Sequence, residues 1–244
     1  MNILCLMHAD FEGVGVIGPW AKKNGYRLTC VKPYVREVLP AADGFDFLVV
    51  MGGPQSPLEK DRFPYLGDEI TLIRSFLDQD KGVVGFCLGA QLLGEALGAP
   101  AEKSPEKEVG IYPITLTERG RQDALFLDFP HSFAVIHWHY DMPGSTSQSV
   151  VLAASAGCPR QIVRYGPKAY GFQCHLEITQ EGLALLADKA ARDLTPSLYT
   201  QSKDILLSHP LTEIHHKMDL ILDRFVALLK DASSHQYDNQ RPQG

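Results

Sequence analysis

The chain has 244 residues, of which 45% are hydrophobic and 21% charged, and its formal net charge at neutral pH is −6. This composition is ordinary for a soluble globular protein with a substantial core, and the acidic balance argues against nucleic acid or an anionic membrane as the main partner. The five cysteines lie far apart with no CxxC pair, which argues against a disulfide framework and favours free thiols, a reducing compartment and a cytoplasmic location.

In the first hundred residues, short apolar runs alternate with helical patterns. The runs predict strands at Ile3–Met7, Leu28–Val31, Phe45–Met51 and Val83–Phe86. The patterns between them predict helices near Val16–Asn24 and Tyr65–Gln79. Apolar strands that alternate with helices indicate a parallel sheet covered on both faces, and ligands of such sheets bind beyond the carboxyl ends of the strands.

The fourth predicted strand leads into a Gly-x-Cys-x-Gly turn centred on Cys87. A strand that reverses sharply into a helix crowds the residues beside the turn, and Gly85 and Gly89 relieve that crowding because they lack a Cβ. The pattern is typical of the sulfur version of a nucleophile elbow, with the cysteine at a helix N-terminus where the helix dipole favours a thiolate. A buried cysteine in an ordinary strand–helix turn is the alternative.

Two other segments suit the same chemistry. The third strand runs into Gly52-Gly53-Pro54, and an N–H group of this loop, together with that of Leu88, would form an oxyanion hole. His175 and Glu177 stand two residues apart at the end of an aromatic-rich run, so in an extended segment they share a face. That arrangement suits a base and the carboxylate that orients it, although either motif by itself is also typical of an ordinary turn or a solvated pair.

From about residue 101 to residue 173 the pattern changes to short β-like runs, which predict an antiparallel or mixed extension of the sheet. These runs are Gly110–Leu116, Phe133–His139, Val150–Ala154, Gln161–Arg164 and Ala169–Gln173. A helix is expected from about Glu181 to Leu194, and a last helix carries an apolar face that packs on the domain or, alternatively, on a partner subunit. Residues 195–231 are therefore predicted to be a helical extension of the same domain, and residues 232–244 a disordered tail.

His137 and His139 alternate along one predicted strand, so both rings could hold a metal from one face. No matching ligand set stands near them in the sequence, so we expect no metal and no cofactor. A structural or substrate-pocket role is favoured, because a loop at Met142-Pro143-Gly144 follows and could border the site.

In chain order, Gly-Gly-Pro, Gly-Phe-Cys-Leu-Gly-Ala-Gln and His-Leu-Glu together resemble the motifs of class I glutamine amidotransferase domains, over roughly Met1 to Leu194. Within that family the segment from His137 to Asp141 resembles a stretch found in free-standing proteins related to the amidotransferase domain of GMP synthase. The resemblance implies a three-layer, doubly wound, flavodoxin-like α/β fold, with a mostly parallel sheet and an antiparallel extension.

Matched by motif, the resemblance implies Cys87 as the nucleophile, His175 as general base and acid, and Glu177 as the group that orients His175. It also implies that the N–H groups of Gly53 and Leu88 form the oxyanion hole. The substrate pocket would be bordered by Gly52, Gln91 and His139. The implied chemistry is hydrolysis of the glutamine side-chain amide through a γ-glutamyl thioester, with the ammonia passed to a synthetase or transferase.

The sequence leaves three interpretations of function. After Leu194 there is room for only about two helices, and no phosphate-binding glycine pattern is present, so the ammonia acceptor is expected on another chain. The chain would then be a glutaminase subunit with a separate partner; alternatively, it would be a stand-alone hydrolase or transferase of other γ-glutamyl compounds. A non-catalytic binding or regulatory protein is the third interpretation, against which the intact Cys87, His175 and Glu177 set argues. A homodimer is left open.

Overall fold

The computed structural model describes the backbone of residues 1–238 and the side chains of residues 1–231. Its strands are β1 (Asn2–Leu6), β2 (Arg27–Val31), β3 (Phe47–Val50), β4 (Gly82–Phe86), β5 (Glu102–Leu116), β6 (Ser132–Met142), β7 (Val150–Ala154), β8 (Ile162–Gly166), β9 (Ala169–Phe172) and β10 (Tyr199–Thr200). Its α-helices are α1 (Ile17–Lys23), α2 (Tyr65–Asp78), α3 (Leu88–Ala96), α4 (Glu118–Arg121), α5 (Gln180–Lys189), α6 (Lys203–Ser208) and α7 (Thr212–Asp238).

The strands form one sheet with a parallel half and an antiparallel half. Strands β2, β1, β3, β4 and β9 lie side by side and parallel in that order. Beyond β9 the sheet continues through β8, β7 and β5 with antiparallel pairing, and β5 also pairs with β6 and β10. The predicted α/β fold, with its mostly parallel sheet and antiparallel extension, is confirmed.

Side chains along the parallel strands alternate between two hydrophobic cores, one on each face of the sheet. In β1, for example, Ile3 and Cys5 lie in one core, and Leu4 and Leu6 lie in the other. Helices α1, α5 and α7 cover the first face, and α2 and α3 cover the second. Because both of their faces are buried, the inner strands β1, β3 and β4 are nearly continuous apolar runs that are easy to locate in the sequence, whereas the edge strand β2 is partly exposed.

The antiparallel half differs more from its prediction. Strand β5 begins at Glu102, well before the predicted start at Gly110. The prediction missed the first half of the strand because that half is polar and shows no apolar alternation. Its pairing with β6 also shifts register between Lys103 and Glu108. The helix predicted from Glu181 to Leu194 is interrupted: α5 ends at Lys189 and a short 3-10 helix follows.

The described part of α7 packs across the first face of the sheet. The ring of Phe225 meets Phe47 and Tyr170 edge-on, with centroids 5.5 and 6.0 Å apart. The indole N–H of Trp20 donates to Asp223, 2.8 Å away. Of the predicted tail, residues 239–244 lie outside the described residues, and residues 232–238 have only a described helical backbone. None of the helices in the described part is both long enough and apolar enough to cross a bilayer.

Candidate active site

Cys87 sits in a strained turn between β4 and α3. Its backbone has φ 49° and ψ −108°, a conformation that residues with a Cβ rarely adopt. A Cβ on Gly89 would lie 2.0 Å from the carbonyl oxygen of Val50, and one on Gly85 would lie 2.3 Å from the carbonyl oxygen of Gly89. The amide of Cys87 donates to Phe172, the last residue of β9, at 2.7 Å. The turn therefore requires both glycines, and the hydrogen bond ties it to the neighbouring strand.

His175 follows the end of β9 and is held by β6. It exchanges two backbone hydrogen bonds with Ile136, of 3.0 and 2.8 Å. Its ring Nδ1 lies 2.6 Å from a carboxylate oxygen of Glu177, whose other oxygen accepts the amide N–H of Leu176 at 3.0 Å. A carboxylate can only accept, so Nδ1 carries the proton. Both side chains are buried, and a Cβ built on Gly52 would lie 3.1 Å from Cε1 of His175 and 3.4 Å from Cβ of Cys87, so the imidazole and the thiol are close neighbours.

The electrostatics of this group favour a protonated imidazole. Burial alone would lower the pKa of His175, but the negative charge of Glu177, together with the hydrogen bonds to Cys87 and Glu177, raises the pKa well above its ordinary value. A thiolate at Cys87 would add to the same effect. The arrangement therefore places a proton-carrying imidazole beside a cysteine, as a cysteine nucleophile with an adjacent base requires.

The Gly52-Gly53 loop after β3 faces this group. A Cβ on Gly52 would lie 3.1 Å from Cε1 of His175, and one on Gly53 would lie 2.4 Å from Cβ of His8. The ring Nδ1 of His8 lies 3.1 Å from the carbonyl oxygen of Gly52, and its Nε2 lies 2.8 Å from a carboxylate oxygen of Glu69. Both side chains are fully buried, so His8 and Glu69 hold the loop from behind. No sequence pattern indicated a role for either residue.

A cavity of about 400 Å³ opens in front of Cys87, a volume suited to a small ligand. Among the predicted site residues, those that line it are Gly53, Cys87, Gln91, His139 and His175. Gly52 and Glu177 line a smaller cavity of about 80 Å³ beside His175, and Leu88 is buried at the first position of α3, where helical N–H groups lack intrahelical acceptors.

Two of the predicted pocket residues have polar atoms that are already engaged. The amide nitrogen of Gln91 donates to Gln173 at 2.9 Å. One ring nitrogen of His139 lies 3.1 Å from the carbonyl oxygen of Asp141, and the other lies 3.1 Å from the amide nitrogen of Gln161. These contacts restrict how either side chain can turn toward a ligand.

Charged side chains of both signs line the cavity. The acids are Glu12, Asp141 and Asp193, and the bases are Lys103, Lys189 and Arg192. Burial is the main reason that the pKa of Glu12 is raised, even though the charges of His175 and His8 oppose the shift. The cavity can thus meet a ligand that carries an ammonium and a carboxylate, such as an amino acid.

A family model, a relative and a solved structure all match most of the chain. The family model described as glutamine amidotransferase class-I matches residues 21–191. A Salmonella typhimurium protein, glutamine amidotransferase-like protein YfeJ, is 48% identical over 198 residues, which are 80% of this chain and 83% of that one. The crystal structure of SMU.1228c is similar with a TM-score of 0.87 and 42% identity, covering 93% of this chain and all of the other.

A more distant relative is much longer than the matched region. The glutamine-hydrolysing GMP synthase of Lachnospira eligens is 29% identical over 175 residues, which are 70% of this chain but only 31% of the synthase. The similarity is therefore to a part of that enzyme.

Proposed function

The chain belongs to the class I glutamine amidotransferase family, and on that premise we propose that it hydrolyses the side-chain amide of glutamine and releases the ammonia for an acceptor enzyme on another chain. The observation that carries this proposal is the meeting of Cys87, His175 and Glu177 beyond the carboxyl ends of the adjacent parallel strands β4 and β9. Such a meeting of thiol, imidazole and carboxylate in a buried cleft suits nucleophilic acyl transfer.

In the proposed mechanism the Cys87 thiolate attacks the amide carbon of glutamine. The N–H groups of Gly53 and Leu88 stabilise the oxyanion that forms, while the His175 imidazolium protonates the departing ammonia. His175, now neutral, takes a proton from water, which attacks the γ-glutamyl thioester and releases glutamate. Glu177 keeps the imidazole in the orientation and tautomer that both proton transfers require.

The charged groups that line the cavity support an amino-acid substrate. The carboxylate of Asp193 suits the α-ammonium group of glutamine, and Lys189 or Arg192 suits its α-carboxylate. For the acceptor, the relation to one part of a GMP synthase supports an enzyme in which the ammonia-releasing unit works beside a synthetase.

The test compares ammonia and glutamate release from glutamine with release from a panel of γ-glutamyl peptides and amines. We expect glutamine to be the best substrate, with equal amounts of both products, and the Cys87→Ala variant serves as the blank. A diazoketone analogue of glutamine should also label Cys87, and excess glutamine should slow the labelling. Faster turnover of a γ-glutamyl peptide would instead indicate a stand-alone hydrolase. If the chain showed no turnover of any substrate and Cys87 were not labelled, the chain would be a binding protein.

Replacing Glu177 with glutamine should lower kcat by about 100-fold, which is less than the loss expected when Cys87 or His175 is replaced. Burial alone would lower the pKa of His175, and it is the charge of Glu177 that raises it. Without that charge the imidazolium deprotonates at a lower pH, so the alkaline limb of the pH–kcat profile should move to lower pH. The matched control is Glu181→Gln, an exposed acid in the first turn of α5. An unchanged alkaline limb would contradict the role of Glu177.

A further inference from the structure

Three buried side chains meet behind the wall of the cavity, where β5 pairs with β6. They are Glu108, His137 and His139, and the antiparallel register sets Glu108 directly opposite His139. One carboxylate oxygen of Glu108 lies 3.1 Å from Nε2 of His139 and 3.6 Å from Nδ1 of His137. These three atoms all lie within 4.8 Å of one another, and none of the three side chains is more than 1% exposed.

Backbone carbonyls fix the tautomers of both imidazoles. Nδ1 of His139 lies 3.1 Å from the carbonyl oxygen of Asp141, and Nε2 of His137 lies 3.3 Å from that of Tyr112. Because a carbonyl can only accept, each of these nitrogens carries a proton. A neutral ring then presents the lone pair of its other nitrogen to the carboxylate of Glu108. Metal-binding histidines are commonly oriented in this way by a backbone carbonyl on the far side of the ring.

The cluster has more acceptors than protons, even though Glu108 also accepts the hydroxyl of Ser155 at 2.8 Å and the amide N–H of Gly157 at 3.3 Å. The amide nitrogen of Gln161 lies 2.6 Å from Glu108, 2.9 Å from the hydroxyl of Ser155, and 3.1 Å from the inward nitrogens of His137 and His139. It carries only two N–H groups for these four contacts. The amide oxygen of Gln161 is buried and has no hydrogen-bond partner within the described part of the chain. A cation at the centre would remove the excess of lone pairs.

We propose that Glu108, His137 and His139 bind a divalent transition-metal ion of the zinc type, with the Gln161 carboxamide turned so that its oxygen is the fourth ligand. Four-coordinate zinc has ligand distances of about 2.0–2.2 Å, so its donor atoms lie about 3.4 Å apart. The 3.1 and 3.6 Å separations of the carboxylate oxygen from the two ring nitrogens bracket that spacing. This inference does not depend on the proposed glutaminase activity.

The site would be structural, since Glu108, His137, His139 and Gln161 together fill four-coordinate zinc and leave no position for a substrate, even though His139 also lines the cavity. It would brace the central part of β6, where Trp138 lies between the two histidines. The carbonyl oxygen of Trp138 is 3.8 Å from the sulfur of Cys87, and the Trp138 side chain also lines the cavity. The ion would therefore hold one wall of the candidate active site in position.

The experiment uses the full chain carrying Cys87→Ala, so that zinc cannot bind at that thiol. The protein is unfolded with a chelator, refolded with or without Zn²⁺, desalted, and examined for metal content and melting temperature. We expect about one zinc per chain and a higher melting temperature when zinc is present, since an ion bound only by the folded state stabilises it. Refolding with Co²⁺ should give visible absorption bands typical of four-coordinate nitrogen and oxygen ligands.

Two variants locate the ion. Adding Glu108→Gln should abolish metal retention and the rise in melting temperature, whereas His131→Asn, at an exposed histidine just before β6, should change neither. Adding Gln161→Glu instead should lower the stability of the metal-free chain and make zinc harder to remove with a chelator, because a second carboxylate joins the cluster. Absence of bound metal, equal retention after Glu108→Gln, or no zinc-dependent stabilisation after Gln161→Glu would overturn the proposal.

Discussion

Replacing Cys87 with alanine is expected to lower the rate of ammonia release from glutamine by more than about 10⁴-fold, because no thioester can then form. The fold should survive, since the substitution removes only the sulfur atom and leaves the backbone of the turn unchanged. Cys87→Ser should also lose most activity, because an alcohol is a much weaker acid than a thiol and gives up its proton to His175 less readily. The measurement is steady-state release of ammonia and glutamate at saturating glutamine.

The matched control is Cys30→Ala, which removes an exposed thiol from β2 and should leave the rate unchanged. Binding of glutamine should persist in Cys87→Ala, because the charged side chains that line the cavity remain. A Cys87→Ala or Cys87→Ser variant that releases ammonia at the wild-type rate would show that the nucleophile is another group.

The turn at Cys87 could be predicted from sequence because it leaves a short local pattern. The crowding that excludes a Cβ at Gly85 arises within the turn, from Gly89, and the crowding at Gly89 comes from Val50 on the adjacent strand, but both requirements appear in the sequence as glycines two residues from Cys87. The same holds for His175 and Glu177, which need only two positions of an extended segment to share a face. That these groups meet depends on β4 and β9 being neighbours, and for that pairing the sequence offered only the family resemblance.

The supporting residues could not be found in this way, because their partners come from distant segments. Glu69 lies on the buried side of α2 among apolar residues, and nothing nearby in sequence indicates that His8 is its partner. Glu108 belongs to the polar first half of β5, and it reaches His139 only through the register of an antiparallel pair. The expectation of no metal rests on the absence of a ligand near the histidines in sequence and stays a prediction, while the position of Glu108 opposite His139 depends on register across the sheet, which is not readable from spacing.

Replacing His175 with asparagine is expected to lower kcat by about 10³- to 10⁴-fold, because one side chain serves both the departing ammonia and the attacking water. The substitution also removes the base beside the thiol, so alkylation of Cys87 by iodoacetamide at neutral pH should slow. A purely structural role for His175 would instead expose the thiol and speed its alkylation. The matched control is His216→Asn, at an exposed position of α7. Full turnover by His175→Asn would mean that the proton carrier lies elsewhere. A lost rate together with slower alkylation would identify the buried imidazole, held at 2.6 Å by Glu177, as the group that both activates Cys87 and moves the proton.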